Sequence, residues 1–175
     1  MQIFSTSHNT GSSYGFLQKT TPKPLRNFRY AKTSSEITVN TMSYNNQFRI
    51  SVHAVITDDN QNILLLKQTY NDKRWGLPGG APEPPENIYD TLIRECKEEL
   101  NCNIEIKYLS GVYYHKKHNS YMFIFRVVLQ KKSIIHLSNE HSDYCYRSIS
   151  ELNDIQYQRV RDCLDCNGEI KSRVF

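Results

Sequence analysis

No apolar run in this 175-residue chain approaches the roughly 20 residues that a helix needs to cross a bilayer, which excludes a helical membrane span. The opening MQIFSTSHNTGSSYGF has no apolar core, so a secretory signal is not expected. Cysteine is scarce and odd in number: Cys96, Cys102, Cys145, Cys163 and Cys166. Without a secretory signal that count argues for reduced thiols in a cytosol and against a disulfide framework. Cys163 and Cys166 form a CxxC, but no second pair or suitably spaced histidines complete a zinc site. They read as two thiols one helical turn apart. Acids are nearly missing from residues 1–45, where Lys19, Lys23, Arg26, Arg29 and Lys32 face Glu36 alone. That segment therefore carries the whole net charge of +4, and the remainder is balanced.

Residues 1–45 are rich in Ser, Thr, Asn and Lys and lack sustained periodicity, so they read as a basic, disordered extension. Mitochondrial targeting by residues 1–35 is an alternative, though no amphipathic helix stands out. A start at Met42 is another, leaving 134 residues. Residues 46–175 read as one domain. Ile50, Val52, Ala54 and Ile56 alternate, which predicts a strand. TDDNQN (57–62) is turn chemistry, and NILLLKQ (62–68) is a second strand, so a hairpin with a longer loop is expected. Strands also fit 103–114 and 120–130, joined by the polar HKKHN. The later one is nearly all apolar, as for a central strand covered on both faces. Residues 148–164 suit a helix with breaks, capped by Ser148 or Ser150.

The richest stretch is RWGLPGGAPEPPENIYDTLIRECKEEL, residues 74–100. Gly76, Gly79 and Gly80 with Pro78 predict a rigid turn whose backbone can approach a ligand closely. Pro85 fits a first helical turn, where its missing N–H is harmless. Ile88, Leu92, Ile93, Cys96 and Leu100 then define one buried face, and Asn101 suits the left-handed stop. Glu95 lies three and four positions before Glu98 and Glu99, so these carboxylates crowd one another and destabilise the helix by a few tenths of a kcal/mol. Arg94 and Lys97 offset part of this. A divalent cation offsets more, and Mg²⁺ favours a few carboxylates with waters and substrate phosphates.

Gly80, Glu86 and Arg94-Glu95-Cys96-Lys97-Glu98-Glu99, at these intervals, resemble the Nudix box. Asn101 replaces its late glycine, and Cys102 fills the following aliphatic position. WGLPGG before the box and EHSDYCYRSISEL (140–152) after it are also similar to that family, and the likeness spans about residues 48–165. The resemblance implies an α/β fold, a Nudix-like α/β/α sandwich with a mixed β-sheet. It implies Glu95, Glu98, Glu99 and the Gly80 carbonyl as metal ligands. Arg94 would orient a carboxylate, Glu86 would stabilise the loop, and Glu140 would be an extra ligand or the base. The implied cofactor is Mg²⁺, with Mn²⁺ as a substitute. The implied reaction is hydrolysis of a diphosphate linkage in a nucleoside diphosphate derivative or a nucleoside triphosphate, in the cytoplasm.

The substrate is less legible. No proline follows Pro85, unlike the family's ADP-ribose pattern, and the lone Trp75 leaves no NADH-type motif. The coenzyme A signature is missing, and Tyr121 is displaced from the diadenosine-polyphosphate position. Lys67 is a candidate for substrate phosphate, Trp75 for stacking on a base, and Tyr114 for the substrate-facing patch formed with Tyr113, His115, Lys116, Lys117 and His118. Each has a bland alternative: a strand end, loop packing or a solvated hairpin tip. His53 reads as structural. The partner expected is a small nucleotide or other diphosphate. RNA 5′ ends and non-catalytic nucleotide sensing are the rivals, and the oligomeric state is left open, a homodimer included.

Overall fold

A strand with apolar residues on both faces needs two coverings. In the computed structural model, which describes residues 47–70, 73–130 and 133–175, two helices supply them. The described residues fall within one compact unit, and the expectations for 1–45 lie outside them. In chain order the elements are β1 (Arg49–Val55), β2 (Ile63–Gln68), β3 (Trp75–Gly76), α1 (Ile88–Leu100), β4 (Ile104–His115), β5 (Ser120–Leu129), β6 (His141–Arg147), α2 (Asp154–Leu164) and β7 (Lys171–Val174). Short 3-10 turns occupy Lys116–His118 and Ile149–Glu151. One sheet is mixed and four-stranded, ordered β1-β5-β4-β7, and the other is antiparallel and three-stranded, ordered β3-β2-β6. The expected α/β/α sandwich with a mixed sheet is what forms.

Alternation divides the strands between two cores. Val52, Ala54, Leu64, Leu66, Phe125 and Val127 pack with Leu92, Cys96 and Leu100 of α1. Their neighbours Val55, Ile63, Leu65 and Ile124 pack with Tyr113 and with Val160 and Cys163 of α2. Each fully buried Leu, Ile or Val contributes roughly 1.5–3 kcal/mol, so β2, with Ile63 to Leu66 all buried, is the wall that both cores share.

The structure corrects several expectations. The hairpin does not form, because β1 pairs in parallel with β5 while β2 belongs to the other sheet. Asp58 accepts from the N–H groups of Asn60 (2.9 Å) and Asn62 (2.8 Å), and this tight turn carries the chain from one sheet to the other. Only a Thr57–Ile63 bridge remains between the two segments. Helix α1 starts later than Pro85 suggests: Asn87 caps it, its side-chain oxygen accepting from the N–H groups of Tyr89 and Asp90. Ile93 is not on the buried face but half exposed, at 50%. The final helix starts at Asp154 on an Asn153 cap, and Ser148 caps the preceding 3-10 turn instead. Strands β6 and β7 were not expected at all. Asn101 does adopt the left-handed conformation, at φ 54°.

Candidate active site

The loop after β3 is fastened to β1 by its backbone. The Val52 N–H donates to the Gly80 carbonyl (2.9 Å) and the Ala54 N–H to the Pro78 carbonyl (2.8 Å). Gly79 has φ 131°, and a Cβ there would sit 2.0 Å from the Val52 carbonyl oxygen. Only glycine fits, and the close approach is to the chain's own first strand rather than to a ligand. The Gly79 N–H donates to Glu99 Oε2 at 2.8 Å, tying this loop to the last turn of α1. A Cβ on Gly80 would lie 2.3 Å from Glu95 Oε1, so the Glu95 carboxylate lies directly against that glycine.

Arg94 is the hub of the cluster. Its Nε and Nη2 donate to the two oxygens of Glu86, at 2.7 and 3.0 Å. Nη1 donates to Glu95 Oε1 and to Glu98 Oε2, both at 3.0 Å, and Nη2 also reaches the Ala81 carbonyl at 3.1 Å. Such forked, charge-assisted pairing suits arginine and not lysine. Glu86 accepts further from the Glu83 N–H and the Thr91 hydroxyl, both at 3.1 Å. Arg94 first, then these donors, hold the Glu86 carboxyl down at about 2. The loop and the helix are thus joined through one guanidinium, which contacts a single oxygen of each of Glu95 and Glu98.

Charge is poorly tolerated deeper in. Glu99 is 6% exposed, and its carboxyl is pushed up to about 8, first by burial and then by Glu95, Glu140 and Glu98, against the opposing Gly79 bond. Burial also raises Glu95. Glu140, exposed in the turn just before β6, adds its negative charge to both. His141 Nε2 lies 3.6 Å from Glu99 Oε1, beyond hydrogen-bond distance, and burial lowers its pKa. Among the described residues, no three acidic, histidine or cysteine side chains already form a closed metal cage. Mg²⁺ does not require one, since it binds through one or two carboxylates plus waters and phosphates. Mutually repelling carboxylates, with Glu99 buried, Glu95 half-buried and Glu98 exposed, together with the Gly80 carbonyl are an oxygen donor set that fits such an ion. Cys163 and Cys166 are free thiols with no such set around them.

Of the acids, Glu99 alone lines either of two adjoining hollows; Glu95, Glu98, Glu86 and Glu140 line neither. The inner one, about 150 Å³, is lined by Glu99, His141, His53, Tyr70 and Gly79 among others. The outer cleft, about 800 Å³, is lined by Trp75, Phe48, Pro82, His115 and His118 among others. Met122, Gln156 and Arg159 line both. Trp75 faces the outer cleft while its carbonyl accepts from Gln156 Nε2 at 3.0 Å. Lys67 lines neither hollow; its Nζ lies 5.8 Å from the Trp75 ring centre. Tyr114 also lines neither, packing on Phe48 and Tyr121 and donating its hydroxyl to Asn119 Oδ1 at 2.7 Å. Tyr113 leaves the expected patch altogether: it is fully buried, its hydroxyl donating to Asp162 at 3.0 Å. His115 and His118 do reach the cleft. Sequence reasoning missed His141, Arg159, Tyr70 and Gln156. His141 follows Glu140 directly in a stretch already singled out, and the others carry no local signal.

The NUDIX domain model matches residues 47–164. The chain belongs to the Nudix domain family. This Nudix domain is 40% identical over 58 residues to an RNA pyrophosphohydrolase of Ruthia magnifica subsp. Calyptogena magnifica, covering 33% of this chain and 32% of that protein. It is 38% identical over 66 residues to an ADP-ribose pyrophosphatase of Methanocaldococcus jannaschii, covering 37% of this chain and 38% of that protein. The chain thus matches about a third of the length of these two curated relatives. Among solved structures, an ADP-ribose pyrophosphatase from Streptococcus suis 89-1591 superposes with a TM-score of 0.60 at 19% identity, covering 74% of this chain and 100% of that one. That likeness shows a shared fold. Among the described residues no helix is long and apolar enough to cross a membrane.

Proposed function

We propose that this Nudix domain hydrolyses a diphosphate linkage in a nucleoside diphosphate derivative or a nucleoside triphosphate, in the cytoplasm, using Mg²⁺ or, as a substitute, Mn²⁺. The observation that carries the reading is the crowded acid cluster of α1, whose Glu99 lines an inner hollow that shares Met122, Gln156 and Arg159 with a cleft of about 800 Å³. Glu95, Glu98, Glu99 and the Gly80 carbonyl would hold the cation; that carbonyl spends one lone pair on the Val52 N–H and keeps the other. When bound, the cation neutralises charge on the phosphate oxygens and acidifies water.

The protein's own groups supply the rest. Arg94 holds Glu95 and Glu98 in fixed positions and leaves one oxygen of each outside its grip. Glu86 locks Arg94 in turn. A water oxygen bonds to phosphorus, the bridging P–O bond breaks, and the water proton passes to a carboxylate. Glu98, with its side chain 59% exposed, and the exposed Glu140 have room to move toward that water. Trp75 and Pro82 offer apolar surface to a base or sugar in the outer cleft.

A second reading is action on the 5′ ends of RNA, supported by the relative named above as an RNA pyrophosphohydrolase. A panel of nucleotides and 5′-triphosphorylated RNA, assayed with Mg²⁺ and Mn²⁺ and read by product identity, separates the two. Glu98→Gln and Glu99→Gln are expected to lower turnover by about 10²–10⁴-fold with the fold retained. Near wild-type rates in either variant would reject the site assignment. No release from any compound would favour nucleotide sensing without turnover.

A further inference from the structure

Arg159 is the outlier of this molecule. It projects from α2 and is only 6% exposed, yet its Nε has no hydrogen-bond partner. No carboxylate pairs with it among the described residues, whereas Arg94, Arg161 and Arg173 each have one. Its guanidinium lies 5.3 Å from the Phe175 ring centre. An aromatic face returns only a small part of what it costs to take an ion out of water. A buried arginine left in that state would be a net liability to the fold.

Its position suggests what offsets the liability. Arg159 is one of three residues that line both hollows, with Glu99 in the inner one and Trp75 in the outer. No acidic residue lines the outer cleft, whose charged members are Arg49, Arg74 and Arg159. Its histidines, His115 and His118, are further donors. We propose that Arg159 is an anion clamp that takes phosphate oxygens of a substrate's diphosphate group where the chain of phosphates passes from the acid cluster into the outer cleft. The planar fork of a guanidinium matches two oxygens of one phosphate. Gln156, one turn earlier on the same helix face, is held by the Trp75 carbonyl and steadies that wall of the passage. The identity of the anion as substrate rests on the hydrolase reading above; the existence of the anion site does not.

The test therefore begins without metal or turnover. Inorganic pyrophosphate is titrated into the full chain in EDTA, by calorimetry and by thermal unfolding, for the wild type and Arg159→Met. The wild type should bind and gain melting temperature. Arg159→Met should bind at least tenfold more weakly. Without pyrophosphate the variant should melt at the wild-type temperature or higher, since it removes an unpaired buried charge. A structural arginine would instead lower it. Equal affinity in the two proteins, or no binding by the wild type, overturns the clamp. Should Arg159→Met not fold, Arg159→Lys keeps the charge but loses the fork, and a tenfold weaker affinity is again expected; unchanged affinity overturns the proposal. With Mg²⁺ and whichever nucleotide is cleaved, Arg159→Met should raise KM more than it lowers kcat. If nothing is cleaved while pyrophosphate binding still depends on Arg159, the hydrolase reading fails and the clamp stands.

Discussion

A neutral imidazole and a buried guanidinium share the wall of the inner hollow. His53 is held down at about 4, first by burial and then by the charge of Arg159. Between about 4 and 6.5 the unfolded chain takes up a proton at this position and the folded one does not. Stability therefore falls as pH drops through that window and is fully retained above it. The whole difference corresponds to roughly 3 kcal/mol. The drop in melting temperature between pH 7 and pH 4.5 should accordingly be smaller in His53→Gln than in the wild type, and an equal drop would place the titrating group elsewhere. None of this was legible in the residue string beyond the reading of His53 as structural. A histidine's pKa depends on what surrounds it, and His53, His141 and Arg159 meet only after β1, β6 and α2 have folded together. The carboxylates were legible because their spacing is local: three and four positions on one helix bring side chains together whatever the rest of the chain does.

Helix α1 shows why an element can be read well in its interior and less well at its ends. Its apolar stripe placed Leu92, Cys96 and Leu100 in the core, and its left-handed stop fell on Asn101 as expected. Its start was misplaced because three prolines compete for that role, whereas the decisive signal was the Asn87 side chain, which satisfies two free N–H groups. Periodicity puts Ile93 on the stripe, but it lies one position past Leu92, at the edge of the face, and is half exposed. The stop makes a direct prediction. Asn101 has φ 54° and donates its N–H to the Lys97 carbonyl at 3.0 Å. Asn101→Ala should cost about 1 kcal/mol, because a Cβ without a compensating polar group disfavours this conformation. Asn101→Gly should be neutral or mildly stabilising. Urea midpoints of the two variants would check the pair, and equal losses would mean that the backbone angle is not what selects the residue.

At the scale of the molecule, the sheet pairing was the least legible feature. Two adjacent strands joined by a short turn normally form a hairpin, and nothing in TDDNQN announces that β1 and β2 will enter different sheets. The cause lies far away in sequence, in β5, which takes β1 as a parallel partner across a register running from Arg49–Ser120 to Val55–Arg126. The double covering of β2 gives a test. Leu64 faces the α1 core and Leu65 the α2 core, so Leu64→Ala and Leu65→Ala should each cost about 2–5 kcal/mol in denaturant unfolding. A much smaller loss in one would show that its side of the sandwich is loosely filled. Strand β1 carries one more consequence. It is hydrogen-bonded to β5 along one edge and to the Pro78–Gly80 loop along the other. It therefore works as a ruler laid between scaffold and chemistry: sliding it by a single residue would turn Val52 and Ala54 away from the α1 core and carry the glycine loop, with the Glu99 carboxylate hydrogen-bonded to Gly79, out of alignment.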